Sequence, residues 1–204
     1  MSPTMSAQPF MKLPPPCLNG AVPLEQTLLT RRSIRTYSRE PLIVEELAQL
    51  LWAAQGITHP QRYRTAPSAG ALYPLELYAV VGHVVGLPAG LYRYRCIEHA
   101  LELKSNRDLR PELCRAALNQ RTVERAPVTF LMTAVYDRMT GKYGSRGVRY
   151  VDMEAGHAAQ NLSLQVVALD LKAVVIGAFH DHEIKQAAGL PADEEPLYLI
   201  PVGR

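Results

Sequence analysis

"LYRYRCIEHALELK", residues 91–104, decides what kind of sheet this chain builds. "LYRYR" and "ALELK" have the length and residue types of strands, and "CIEH" is a short link between them. The pattern predicts a hairpin. In its first arm Tyr92 and Tyr94 share one face, with Arg93 and Arg95 on the other.

Outward from the hairpin, strand and helix patterns alternate. Upstream, "PLEQTLLT" reads as helical. "VEELAQLLWAAQG" puts Leu47, Leu50, Leu51 and Ala54 on one helical face, with Gly56 as a C′ stop. Ile43 stands where a capping Ser or Thr would serve better. "LELYAVVG" follows as a strand. Downstream, "RPELCRAALNQ" carries Pro near a helix start, and "PVTFLMTAVY" reads as a buried strand. "YVDMEAGHAAQNLSLQVVALD" is the longest helical candidate. "KAVVIGAF" reads as a strand, "DHEIKQAAG" as a short helix capped by Asp181 and stopped by Gly189, and "PLYLIPVG" as the last strand. Interleaved strands and helices with one hairpin predict an α+β fold, a mixed sheet covered by helices. The first 22 residues, rich in Pro, Ser and Met, read as a flexible arm ahead of one domain, residues 23–204.

Of the 22 basic residues 17 are Arg, and the net charge is only +3. Arginine's planar fork suits phosphate or carboxylate, so the bias points to anion recognition. A nucleic-acid binder would concentrate more charge. Cys17, Cys96 and Cys114 form no C-x-x-C pair, which argues against a zinc site or disulfide framework and fits a reducing cytoplasm. The most apolar stretch, residues 162–179, is interrupted by Gln165, Asp170 and Lys172, so no membrane span is expected.

Four stretches carry possible chemistry. In "RRSIRTYS", Arg31, Ser33 and Arg35 would either grip a phosphate or form a solvated helix end. "TAPSAGALYP" has small residues that let a flat ligand approach the backbone, or that simply make a turn. "EAGHAAQN" sets Ala155, Gly156, Ala158 and Ala159 beside Glu154, His157, Gln160 and Asn161, a surface for close packing. "TGKYGSRGVRY" reads as a loop. Lys142 and Tyr143 there are proton-transfer types, and Lys142 would serve as a base if burial, Arg146 and Arg149 lowered its pKa. "HDH", residues 180–182, has no partner cluster and reads as a helix cap rather than a metal site. No Rossmann or Walker glycine pattern is present.

Taken in order, "RRSIRTYS", "LLWAAQGIT", "TAPSAGALYPLELY", "GLYRY", "GKYGSRGVRY", "EAGHAAQNL" and "LYLIPVGR" resemble the nitroreductase superfamily, and within it the SagB-type dehydrogenases. The resemblance implies a mainly antiparallel α+β fold, an intertwined homodimer, and FMN at the subunit interface. It implies FMN contacts by Arg31, Arg32, Ser33 and Arg35, chiefly at the phosphate and ribityl end. It further implies contacts by Pro67, Ser68, Ala69, Gly70 and Ala71 reaching across from the partner, by Val175, Ile176 and Gly177 beside the isoalloxazine, and by Gln120 and Arg204. Some members of this branch oxidise azoline rings in peptides with a Lys-Tyr pair, matched here by Lys142 and Tyr143. The substrate would be a small molecule or peptide, and NAD(P)H a possible electron donor. Two departures stand out: Ile176 occupies a place where typical nitroreductases carry Glu, and the chain ends at Arg204 without their C-terminal extension.

Overall fold

The computed structural model describes residues 10–204. The chain runs β1 (Met11–Lys12), α1 (Leu24–Thr30), β2 (Leu42–Ile43), α2 (Val44–Gln55), β3 (Leu75–Val81), β4 (Val84–Val85), β5 (Gly90–Arg95), β6 (Ala100–Ser105), α3 (Arg110–Ala116), α4 (Arg121–Arg125), β7 (Val128–Val135), α5 (Asp137–Tyr143), α6 (Arg146–Ala168), β8 (Lys172–Ala173), α7 (Asp181–Ala188) and β9 (Glu194–Gly203). Seven strands form one sheet in the order β1-β6-β5-β3-β7-β9-β8, with every neighbouring pair antiparallel. β2 and β4 make a small parallel pair apart from it. The fold is α+β, as expected.

β7 is buried along its whole length because both faces of the sheet are covered. Phe130, Met132 and Ala134 face a core shared with α2 and α6. Leu131 faces the opposite core, built with Leu113, Val123 and Ile184 from α3, α4 and α7. β3 alternates in the same way, Leu75, Leu77 and Ala79 to one side and Tyr78 and Val80 to the other. The hairpin forms as read, with Tyr92 and Tyr94 buried and Arg93 and Arg95 only partly so.

Several local expectations change. Ile43 does open α2, and its backbone N–H is satisfied by the Glu46 carboxylate at 3.0 Å, half of a capping box. Gly56 ends α2 in extended rather than left-handed backbone, and a Cβ there would collide with the Trp52 ring. Asp181 lies in the first turn of α7, one residue after the cap at His180, while Gly189 closes the helix in the left-handed region. The strand read over "KAVVIGAF" pairs continuously only at Lys172–Ala173, then by a single bridge from Ile176 to Leu199. Within the arm, Met11–Lys12 pairs with β6, Leu13 is buried, and His99 Nε2 lies 2.8 Å from the Pro14 carbonyl. Residues 10–22 therefore include segments docked on the sheet edge, and residues 1–9 lie outside the described residues. Among the described residues no helix is long and apolar enough to cross a membrane.

Candidate functional site

The sequence-predicted residues gather into two clusters. The first forms where the chain leaves α1. Ser33 bridges Ala173, and Ile34 N–H donates to the Ala173 carbonyl at 2.8 Å, so "RRS" is fastened beside β8. A cavity of about 220 Å³ opens there, lined by Arg31, Arg32, Ser33, Lys172, Val174 and Val175, with Asp170 also on its wall. Arg32 folds back to donate to the Leu29 and Arg31 carbonyls at 3.0 and 2.7 Å, closing the end of α1. Arg32 thus takes the helix-end role, while Arg31 and Ser33 line the cavity. Among the described residues Arg31 and Lys172 of the cavity wall enter no ion pair, nor does Arg35, which lies two residues past Ser33 and does not line the cavity. Cations left free beside a hydroxyl suit a phosphoryl group. The volume fits that end of a mononucleotide and not the whole of one.

The next residues along the chain extend this cluster. Ile176 is buried in the core, and its N–H and C=O both bond Leu199 at 2.9 Å, while its neighbours Val175 and Gly177 are less buried. Gln120 donates to the Ala178 carbonyl at 3.0 Å, which ties it to the same segment. Arg204 follows Gly203, the partner of Lys172 in the sheet, but its guanidinium turns away to Glu46 at 2.5 Å and the Pro41 carbonyl at 3.3 Å. Tyr37, which sequence reading passed over, pins the stretch from behind. Its buried hydroxyl reaches the Ile34 and Pro201 carbonyls at 3.1 Å and accepts from Thr122 at 3.0 Å. Burial pushes its pKa up to about 12.

The second cluster joins two motifs far apart in sequence. Residues 67–71 form a tight turn with Ala69–Ala71 in 3-10 geometry and Gly70 at φ 63°. Ser68 Oγ closes it by accepting the Tyr73 N–H at 2.9 Å. A Cβ on Gly70 would stand 2.7 Å from Tyr143 Oη and 2.9 Å from Lys142 Nζ, so both side-chain tips lie directly against the turn. "TGKYGSRGVRY" is no loop. It holds the last turn of α5, a break at Gly144 with φ 56°, and the first turn of α6. The break is what points Lys142 and Tyr143 at Gly70. Tyr143 also meets the Tyr150 ring edge-on at 5.2 Å. Lys142 is exposed in the chain, as are Arg146 and Arg149, in place of the partial burial expected of it.

The small-residue surface of α6 is also divided. Ala155, Ala158 and Ala159 are buried against the sheet, whereas Gly156 and His157 face outward. Asn161 donates to the Thr65 carbonyl at 3.2 Å and so steadies the approach to the turn. Among the described residues no group of His, Cys, Asp and Glu could hold a metal ion.

The chain is similar to known proteins over nearly its whole length. A protein of Methanocaldococcus jannaschii named as a nitroreductase is 44% identical over 90% of this chain and 91% of its own. A crystal structure from Ralstonia eutropha, also named as a nitroreductase, covers all of this chain and 92% of its own at 32% identity, with a TM-score of 0.84. At the level of fold alone, a chain of the Escherichia coli microcin synthetase complex, solved with a truncated precursor bound, matches with a TM-score of 0.73 and 22% identity over 87% of this chain and 72% of its own. Residues 28–204 match the model of the nitroreductase family, and the chain belongs to that family of oxidoreductases.

Proposed function

We propose that this protein is an FMN-dependent oxidoreductase of the SagB type, acting on an azoline-like ring or another small substrate. The observation that carries the reading is the contact of Lys142 and Tyr143 with the Gly70 turn. Two side chains able to move protons sit against a turn shaped for close approach. The free cations and hydroxyl of the Arg31–Ser33 cavity fit the phosphate end of FMN. Arg31, Ser33 and Arg35 would hold that phosphate, and the backbone of Val175 and Gly177 would lie alongside the ring system. Arg204 would join them only by leaving Glu46. The flavin would lie between two copies of the chain, with residues 67–71 reaching the partner's cofactor.

Bound FMN supplies a two-electron acceptor and donor at N5. A neutral substrate that gives up a hydride must also give up a proton to end neutral. Lys142 would take that proton once a second copy of the chain or the substrate buried it and disfavoured its charged form, and Tyr143 would orient the substrate or pass the proton on. The competing reading, an NAD(P)H-dependent nitro or quinone reductase, places little demand on a base. One variant separates them. Lys142→Ala should keep its yellow colour and FMN content while oxidation falls about 10²–10⁴-fold, the usual worth of a positioned acid or base. Quinone reduction by an external hydride donor should fall much less. Equal loss of both activities together with flavin would make Lys142 a binding residue. No loss of either would remove the proton-transfer role. A colourless protein that takes up no added FMN would sink the whole reading.

A further inference from the structure

Two glutamates are fully buried among the described residues, and the fold treats them oppositely. Glu194 accepts hydrogen bonds from Tyr78 at 2.8 and 3.0 Å and from Thr133 at 2.7 Å. Glu154, on α6 and 2% exposed, has no hydrogen bond to either oxygen. Two further buried orphans accompany it, Arg64 Nε and Gln55 Nε2, on side chains joined by a 2.6 Å bond from Arg64 Nη1 to Gln55 Oε1. An ionised carboxylate without partners is far costlier to bury than a neutral acid. The buried, unpartnered site therefore favours the protonated carboxyl. Burial raises its pKa to about 7, against the smaller opposing pulls of the Ser68 hydroxyl and the Arg64 charge.

Its position closes a ring. The Gly70 turn touches Lys142 and Tyr143, and Tyr143 meets Tyr150. Tyr150 and Glu154 are four apart on α6 and share a helical face. Glu154 in turn neighbours Ser68, whose Oγ holds the turn shut through the Tyr73 N–H. We propose that Glu154 is a positioning residue for Lys142 and Tyr143, leaving the 68–73 turn closed while it is neutral and opening it when ionised. The inference rests on the reading of Lys142 and Tyr143 as the proton-transfer pair.

The orphan atoms supply the means. In the neutral state Arg64 stacks 4.4 Å over the Tyr73 ring and bonds Gln55. An ionised Glu154 attracts the unused Arg64 Nε–H and the Ser68 hydroxyl. Ser68 Oγ can keep the Tyr73 N–H while its hydroxyl donates to Glu154, so the change falls on Tyr73, which loses the Arg64 stack and with it the ring placement that sets the Gly70 turn. The titratable groups facing this ring are Arg64 from the preceding loop, Tyr73 from the turn, Lys142 and Tyr143 from α5, and Tyr150 from α6 itself. Among them Arg64 is the charge that acts on Glu154.

The test compares wild type with Glu154→Gln, which stays neutral at every pH. The first measurement is the Lys142-dependent oxidation rate of the flavin-loaded proteins on both sides of pH 7. Wild type should lose about tenfold per pH unit on the alkaline side of the Glu154 transition, whereas Glu154→Gln stays level there with unchanged FMN content. The second is NMR of the protein with no substrate. The Gly70 and Tyr73 amides of wild type should titrate together with the Glu154 carboxyl. Identical pH profiles for the two proteins, or amides indifferent to the carboxyl, would overturn the proposal. If the protein oxidises nothing, the amide titration still decides the role of Glu154, and the functional reading falls separately. If Glu154→Gln does not fold, the wild-type titration alone decides.

Discussion

At Gly70 a single missing methyl lets the tips of Lys142 and Tyr143 lie against the 67–71 turn. Gly70→Ala would force a side chain into the left-handed region and push against the tips of Lys142 and Tyr143. Those tips can swing away, so stability should fall by only about 1–2 kcal/mol in urea unfolding, while oxidation falls with the displaced pair. An active Gly70→Ala variant would show that the contact is incidental. At the other cluster, Arg31→Ala or Arg35→Ala removes a charge-assisted bond worth about 1.5–3 kcal/mol, so FMN retention should drop about ten- to a hundredfold. Flavin content unchanged in both would take the phosphate role from this cluster. Glu154 makes stability itself depend on pH. Its folded pKa of about 7 lies above the ordinary 4.5, so the folded state holds the proton more tightly. Its contribution is present in full below the ordinary value and is lost as pH rises through about 7, in total roughly 3 kcal/mol. Chemical denaturation should show that loss in wild type and a flatter profile in Glu154→Gln. The arginines and the Lys-Tyr pair were legible in sequence because their residue types declare their chemistry. Tyr37 and Glu154 were not, since each acts through burial that only the folded sheet creates.

The helix pair α5–α6 shows why an element was misread. Glycines at 141, 144 and 147 look like a flexible loop, yet each does something different. Gly141 sits on an exposed helical turn with nothing within 4 Å of a Cβ. Gly144 adopts the left-handed break between the helices. Gly147 lets α6 press on α5, where a Cβ would come within 2.8–2.9 Å of the backbone of Met139 and Thr140. Composition cannot separate a loop glycine from a packing glycine. The strands and α2 were legible because their apolar period marks the buried face directly. The two sites yield opposite expectations. Gly141→Ala should be neutral or stabilise by about 0.4–1 kcal/mol through lost chain entropy. Gly147→Ala should destabilise by about 1–3 kcal/mol, because backbone cannot yield as a side chain does. Thermal melts of the two variants check this, and equal melting temperatures would mean that α5 does not rest on α6.

At the scale of the molecule, one chain leaves a face uncovered. Leu24, Leu28 and Leu29 of α1 are more than half exposed, as is Leu18 of the arm. Beside them runs a groove of about 880 Å³ between the arm, α1, α2 and α6, walled by Leu24, Ala53, Leu164 and Leu169 among others. Exposed apolar surface on this scale is a mark of association. The net charge of +3 offers little repulsion against it. Lys142, Gly70 and Ala71 are likewise exposed in the single chain, which would be a poor setting for hydride chemistry unless a second copy shuts out water. We therefore expect a homodimer that parts only with loss of flavin. Placing carboxylates at Leu28 and Leu29 in a double Asp variant should leave the core of the chain intact, since neither side chain enters it. Light scattering should then report monomers, and absorbance should report that they have lost their FMN. A monomer that keeps its flavin and its activity would refute the shared site, and a dimer that survives both carboxylates would place the interface on another face.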